Sequence, residues 1–270
     1  MYVQLLGSMA SRICKHVGIA VIIMMTPLLA DKLSFTVVFN NVASDKHLAT
    51  EWGMACVIQG TEKTILFDTG SDGQILIKNM ELLGYEPAEI DYVFISHAHW
   101  DHTGGLHDFL DENNDVTIFV PSSAPDELTS SINEQGAQFI PVAEQTKICS
   151  NVYSTGEMKG MGVAEQALVI DTNDGLIVIT GCAHPGVVNI AARAKEISDQ
   201  QITLLFGGFH LIKHSDEEIE RIITELRKFG VRRVGPSHCT GDRAIALFKA
   251  AWKDDFIDLG CGARFELKMQ

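Results

Sequence analysis

The chain has 270 residues, of which 46% are hydrophobic and 21% are charged, so it can bury a sizeable core and is not expected to be disordered. Its formal net charge is −14, which argues against a nucleic-acid partner because phosphate backbones are bound by basic surfaces. A small phosphorylated ligand is not excluded, since a few local cations can hold one.

The amino-terminal residues have the composition of an export signal. Arg12 and Lys15 precede a mostly apolar run at 17–30, which is shorter than the ~20 apolar residues of a membrane span. We therefore expect residues 1–30 to be a signal peptide and residues 31–270 to form the mature domain. Cleavage of the leader predicts an exported or periplasmic protein without stable membrane association. An uncleaved leader predicts a cytoplasmic or membrane-anchored one.

The predicted elements of the first half are strands and helices in alternation, following an initial hairpin. They are strands at 34–41, 54–59 and 64–67, a helix at 73–83, a strand at 92–96, a helix at 104–110, a strand at 116–120, a helix at 125–135, and short strands at 139–140 and 146–149.

The second half repeats this arrangement, with a hairpin followed by strand–loop–helix units. Its elements are strands at 152–154, 167–171 and 176–180, a helix ending near 197, a strand at 202–206, a helix at 216–229, a strand at 231–234, a helix ending near 252, and a last strand pair within 256–267. Mixed sheets with helices on the outside fit this order best, and no low-complexity linker divides the chain.

Histidine-bearing loops follow several of the predicted strands. The densest is His97-Ala98-His99-Trp100-Asp101-His102, which directly follows a buried strand. His184, His210 and His238 stand in later loops of the same kind. Strand ends are where such sheets place their sites, so we expect these loops to meet.

This set of residue types indicates a metal site. His97 and His99 can point the same way in an extended loop, while Asp101 and His102 form a second adjacent pair. Imidazole and carboxylate ligands favour zinc, with manganese or iron as alternatives, and one or two ions are expected.

The cysteines do not form a recognisable framework. The six cysteines include no C-x-x-C pair, so neither a zinc ribbon nor a disulfide scaffold is predicted. Cys182 and Cys239 lie close to His184 and His238 and are interpreted either as walls of the site or as oxidisable thiols.

His97-x-His99-x-Asp101-His102 resembles the signature of the metallo-β-lactamase superfamily, and Leu66-Phe67-Asp68-Thr69-Gly70 matches it as well. The resemblance spans roughly residues 34–267. It implies an α/β (α+β) fold, the αββα sandwich of two mixed sheets with outer helices, with the site at one edge. The loops around His184, His210 and His238 resemble those of one branch, named for the synthesis of a dihydropterin–aminobenzene ribotide phosphate.

The resemblance also implies roles for individual residues. His97, His99 and His184 would bind one metal, and Asp101, His102 and His238 would bind a second. Asp68 would support a ligand by accepting a hydrogen bond, although it could simply form a turn.

One position departs from the superfamily pattern. Many members carry a bridging Asp after the third His ligand, but here that neighbourhood reads Gly207-Gly208-Phe209-His210. An imidazole has one free lone pair and cannot bridge two metals as a carboxylate does. His210 is therefore a candidate terminal ligand, proton donor or substrate contact, or else a packed side chain.

The expected function is metal-dependent hydrolysis of a small-molecule substrate, in which a metal-bound hydroxide attacks a carbonyl or phosphorus centre. Asp101 and His210 are the candidate catalytic groups, and Arg243 and Lys213 are candidate cations for a substrate phosphate. The alternatives are a metal-dependent transferase with the synthase activity, a di-iron redox protein, which His99 disfavours, a non-catalytic binding module, and a β-lactamase proper. The sequence does not predict an oligomeric state.

Overall fold

The structure, a computed structural model, describes residues 32–268, which contain fifteen strands. The predicted signal peptide at 1–30 lies outside these residues. The strands are β1 Lys32–Asn40, β2 Met54–Gln59, β3 Ile65–Phe67, β4 Tyr92–Phe94, β5 Thr117–Pro121, β6 Gln138–Val142, β7 Thr146–Cys149, β8 Val152–Ser154, β9 Met158–Gly160, β10 Val163–Glu165, β11 Leu168–Thr172, β12 Gly175–Thr180, β13 Ile202–Gly208, β14 Arg233–Ser237 and β15 Arg264–Lys268.

Seven α-helices connect these strands. They are α1 Gly73–Leu83, α2 Trp100–Thr103, α3 Leu106–Glu112, α4 Asp126–Glu134, α5 Val187–Ile197, α6 Asp216–Lys228 and α7 Asp242–Trp252. Two of them begin at side-chain caps that satisfy otherwise unpaired backbone N–H groups: Asp72 caps α1, and Ser215 with Glu218 forms a capping box on α6. Within residues 32–268, no helix has the length and apolar character needed to cross a membrane.

Two mixed sheets form the centre of the molecule. The first has the order β15-β1-β2-β3-β4-β5-β6, and the second has the order β14-β13-β12-β11-β8-β7. Strands β3 to β6 run parallel, as do β12 to β14, while the remaining neighbours are antiparallel. Each sheet therefore has a parallel half whose strand ends share one edge.

Three hydrophobic clusters define the layers. One contains apolar side chains from both sheets, such as Phe35, Phe94 and Phe206, and fills the space between them. A second joins the first sheet to α1, α3 and α4, and a third joins the second sheet to α5, α6 and α7. The predicted αββα sandwich with outer helices is confirmed.

The structure differs from the predicted elements in three places. The segment 155–166, predicted as a loop, contains the β9–β10 hairpin, whose turn places Met161 at φ 53° and Gly162 at φ 79°. A methionine gives little signal for a left-handed turn position, so this hairpin was not predicted. The second difference is that the predicted final strand pair is wrong: β15 pairs with β1, while Phe256 makes only an isolated bridge to Val234. Third, the histidine-rich segment is not fully extended, because it contains the single turn of α2.

Candidate metal centre

The site lies at the edge where the parallel strands end. His97 follows β4, His184 follows β12, and His238 follows β14. The short helix α2 turns Asp101 and His102 into the interior and leaves Trp100 exposed. The tertiary structure thus divides residues 97–102 into two parts. His97 and His99 face His184, whereas Asp101 and His102 face His238.

The first donor group contains the three histidines His97, His99 and His184, whose donor nitrogens lie within 4.8 Å of one another. The His97 Nε2 and His99 Nδ1 atoms are 3.2 Å apart. His97 and His184 are buried, whereas His99 is exposed to solvent. This group therefore has one open side.

The second donor group contains Asp101, His102 and His238, together with Cys182. Asp101 Oδ2 lies 3.2 Å from His238 Nε2 and 3.7 Å from His102 Nε2. All four residues are buried. The structure therefore brings together the two sets of three expected ligands, and it adds a thiol that was not expected among them.

Of the five histidines in the two donor groups, four have a hydrogen bond at Nδ1, on the side of the ring that faces away from the centre. Their partners are Ser96 Oγ for His97 at 3.0 Å, Asp68 Oδ2 for His102 at 2.6 Å, Glu165 Oε2 for His184 at 2.8 Å and Asn41 Oδ1 for His238 at 2.8 Å. An imidazole that donates its Nδ1–H in this way presents the lone pair of Nε2 to the centre, as in metal sites with oriented ligands.

Asp68 connects the two groups. Its carboxylate accepts hydrogen bonds from His102 Nδ1–H, from the Ser96 hydroxyl at 2.7 Å and from the Ser96 backbone N–H at 2.7 Å. The same hydroxyl contacts His97. Asp68 therefore fixes one histidine of each group, and its φ of 54° shows that it also forms a tight turn after β3.

Glu165 was not predicted from the sequence. Its buried carboxylate accepts the backbone N–H groups of Cys182, Ala183 and His184 at 2.7 to 2.9 Å, in addition to the His184 imidazole. Ala183 has a φ of 59°, so the loop bends around this carboxylate. Glu165 belongs to the unpredicted β10, and no local motif connects it with His184.

Two further side chains were also missed because their contacts are distant in sequence. Trp52 Nε1–H donates to Asp101 Oδ2 at 3.0 Å, and Asn41 holds His238. Neither residue lies in a histidine-bearing loop, so only the folded chain shows that they contact the site.

Burial and neighbouring groups set the protonation of these side chains. Burial lowers the pKa of His97 far below its ordinary value, and burial together with His238 lowers the pKa of His102 to about 3. Burial opposes ionisation of Glu165, but the hydrogen bond from His184 outweighs it and lowers the pKa to about 2. His97 and His102 are therefore neutral, the form in which an imidazole can bind a metal, and Glu165 is the anion that accepts the hydrogen bond of His184.

The residues present fit a metal ion. The buried Nε2 of His238 has no hydrogen-bond partner, although it faces Asp101. An orphaned nitrogen of this kind is costly in a folded protein unless something binds it. Imidazoles, one carboxylate and one thiol form a donor set that suits zinc or iron, and the donors allow one or two ions.

His210 lies next to His184 of the first group, and its donor nitrogen is also within 4.8 Å of the Cys182 thiol of the second. Its ring centroid is 4.6 Å from that of His184, and its Nδ1 is buried without a hydrogen-bond partner. A hydrogen bond with Cys239 raises the pKa of His210. Within residues 32–268, Asp101 is the one carboxylate in either donor group, because Glu165 is used behind His184.

A cleft of about 420 Å³ opens next to His99. Its walls come from the loop after β5 and from the β9–β10 hairpin, and Lys159 contributes the positive charge. The candidate phosphate cations Arg243 and Lys213 do not line this cleft, and Arg243 instead pairs with Asp216 at 2.5 Å.

Two comparisons of the sequence with known proteins match the same superfamily. The sequence profile described as the metallo-beta-lactamase superfamily matches residues 53–146. The 7,8-dihydropterin-6-methyl-4-(beta-D-ribofuranosyl)-aminobenzene-5'-phosphate synthase of Methanocaldococcus jannaschii is 30% identical over 75% of this chain and 84% of its own.

Solved structures show the same fold. A protein described as a metal-dependent hydrolase of the beta-lactamase superfamily is 29% identical, with a TM-score of 0.73 over 87% of this chain and 99% of its own. The metallo-beta-lactamase fold protein YhfI of Bacillus subtilis, which is 16% identical, superposes with a TM-score of 0.64 over 87% of this chain and 100% of its own.

Proposed function

Because the chain belongs to the metallo-beta-lactamase superfamily, in the branch of the dihydropterin–aminobenzene phosphate synthase, we propose that it is a metal-dependent hydrolase of a small phosphorylated substrate. One observation carries the proposal: the histidine group of His97, His99 and His184 opens through His99 into the cleft. A substrate in the cleft would therefore reach an open metal position. We expect zinc at this centre, with manganese or iron as alternatives.

The proposed ligands are His97, His99 and His184 for one ion and Asp101, His102 and His238 for a second. Metal ions in such a site act as Lewis acids and make water nucleophilic near neutral pH. Partial burial opposes ionisation of Asp101, but the imidazoles of His238 and His102 hold the pKa of its carboxyl well below the ordinary value. Asp101 is thus an anionic acceptor that Trp52 orients, and it can accept a hydrogen bond from an attacking water and orient it.

We assign the proton donor to His210. Its imidazole lies beside His184, and its Nδ1 is free of hydrogen bonds. A donor at this place can protonate a leaving group that departs from the first donor group on the side of His184.

Lys159 supports the choice of an anionic substrate. It lines the cleft, its side chain is 80% exposed, and the nearest carboxylate oxygen of Glu157 is 4.0 Å from its Nζ. In a chain with a net charge of −14, a cation beside the open donor group favours binding of a phosphate there.

A second candidate function is the transferase reaction. The 30% identical relative is named as a synthase, and its name describes a dihydropterin joined to a ribosylated aminobenzene phosphate. That product carries a phosphate, so Lys159 can serve either reaction.

The deciding experiment assays the zinc-loaded full-length protein against phosphodiester, lactone and thioester substrates, and against a pterin diphosphate with an aminobenzene ribotide. We expect phosphodiester hydrolysis that His97→Ala lowers by roughly 100-fold or more, because a ligand of the open group is lost. His47→Ala, which changes an exposed histidine outside the site, is the matched control.

Full hydrolysis by metal-stripped protein would refute the proposal. Condensation without hydrolysis would establish the transferase instead.

A further inference from the structure

Cys182 is placed differently from an ordinary buried cysteine. It is free of disulfides and 3% exposed, and it stands in the loop that Glu165 binds through three backbone N–H groups. These three hydrogen bonds fix the backbone of the loop and therefore the direction of the Cys182 side chain. The Sγ atom lies 3.3 Å from His102 Nε2.

The nitrogen that Cys182 faces is the one available to a metal. His102 donates its Nδ1–H to Asp68, so Nε2 carries a lone pair. Asp101 Oδ2 and His238 Nε2 complete the surroundings of this point. Two nitrogens, one oxygen and one sulfur therefore converge from three separate loops.

Three of the six donor–donor distances are close to those of a tetrahedral zinc site, and all six are within 4.8 Å. With ordinary zinc–ligand distances, donors at the corners of a tetrahedron are about 3.3 Å apart for nitrogen or oxygen pairs and about 3.6 Å apart for sulfur–nitrogen pairs. The observed distances are 3.2 Å for Asp101–His238, 3.7 Å for Asp101–His102 and 3.3 Å for Cys182–His102.

We propose that the Cys182 thiolate is the fourth protein ligand of the second metal, alongside Asp101, His102 and His238. This inference rests on the proposed metal-dependent function and extends it. Coordination forms a metal–sulfur bond and breaks the S–H bond, and the proton is released to solvent.

The two metal positions then differ in kind. The second has four protein ligands and is buried, which is the pattern of a closed zinc site, whereas the first has three ligands and an open side. Substrate binding belongs to the first position, and the second holds loops from both sheets together.

A competing arrangement is visible in the structure. Cys182, His210 and Cys239 also have donor atoms within 4.8 Å of one another. If a metal were bound by that group, Cys239 would be one of its ligands. Cys239 is buried like Cys182 and contacts the Cys182 carbonyl oxygen, so Cys239→Ser is a matched control for Cys182→Ser.

The test uses X-ray absorption at the zinc edge on the zinc-loaded full-length protein. We expect one sulfur neighbour for every two zinc ions, at ~2.3 Å. Zinc bound without any sulfur neighbour would overturn this inference and leave the proposed function standing. Failure to bind zinc at all would overturn both. The unmodified protein gives this result even if a variant does not fold.

The variants then identify the sulfur. Cobalt-loaded Cys182→Ser should lose the near-ultraviolet thiolate-to-metal absorption band, and Cys239→Ser should keep it. Loss of the band in Cys239→Ser, alone or together with Cys182→Ser, would assign the sulfur to the competing arrangement and overturn the proposal.

Discussion

At the scale of single residues, the side chains behind the histidines matter as much as the histidines themselves. Glu165 satisfies three backbone N–H groups and the His184 imidazole with one buried carboxylate. A buried N–H group that loses its acceptor destabilises the folded protein, because its lost hydration is no longer compensated by a hydrogen bond. The orientation of His184 and the shape of its loop therefore depend on the same residue.

We predict that Glu165→Gln weakens zinc binding by roughly 10- to 100-fold, since an amide NH₂ would face the N–H groups that one carboxylate oxygen now accepts. The free energy of unfolding should fall by about 1–3 kcal/mol. Competition with a chromophoric chelator measures the first effect, and thermal unfolding measures the second. Glu144→Gln, whose side chain is 88% exposed, should leave both unchanged. Equal zinc affinity in the two variants would contradict the role assigned to Glu165.

At the scale of elements, the β9–β10 hairpin connects the cleft with the metal centre. Lys159 on β9 lines the cleft, and Glu165 at the end of β10 holds the His184 loop. Gly160 packs directly on that loop: an added Cβ would lie 2.2 Å from the His184 carbonyl oxygen and 2.4 Å from Pro185 Cα. The hairpin can approach this closely only without a side chain at position 160.

We therefore expect Gly160→Ala to lift the hairpin away from His184 and to lower kcat/KM by roughly 100-fold, as misplacement of a site by about 1 Å does. Gly162→Ala in the same hairpin is the comparison, because its added Cβ meets nothing within 4 Å and costs only about 1–2 kcal/mol of left-handed backbone strain. Steady-state kinetics on both variants give the measurement. Similar kcat/KM values would show that the hairpin does not position the site.

At the scale of the whole molecule, the metal centre joins the two halves of the sandwich. His97, Asp101 and His102 follow a strand of the first sheet, while His184 and His238 follow strands of the second. A bound ion would thus link loops that the folded state alone brings together. Binding of this kind stabilises the native protein, because the unfolded chain does not hold the ligands in place.

Removal of the metal should lower Tm. At about 100 times its Kd, zinc adds about 2.7 kcal/mol to the free energy of unfolding. For a domain of this size, that corresponds to a rise in Tm of roughly 5–10 °C. Calorimetry of chelator-treated and zinc-restored protein measures the shift, and adding K⁺ in place of zinc is the control. An unchanged Tm on zinc restoration would mean that no ion links the two sheets.

The sequence by itself predicted mixed sheets with outer helices and six candidate ligands, because both are recorded locally. Residues 97–102 supply four donors in one short segment, and the strand–loop–helix order places His184 and His238 at matching strand ends. The contacts of Glu165, Asn41, Trp52 and Cys182 were decided only by the tertiary structure. Each joins residues of different local motifs, separated by 17 to 19 positions for Glu165 and by 197 for Asn41 and His238. Hydrophobic periodicity and local motifs carry no record of such pairings, which arise when the two sheets pack and bring their loops to one edge.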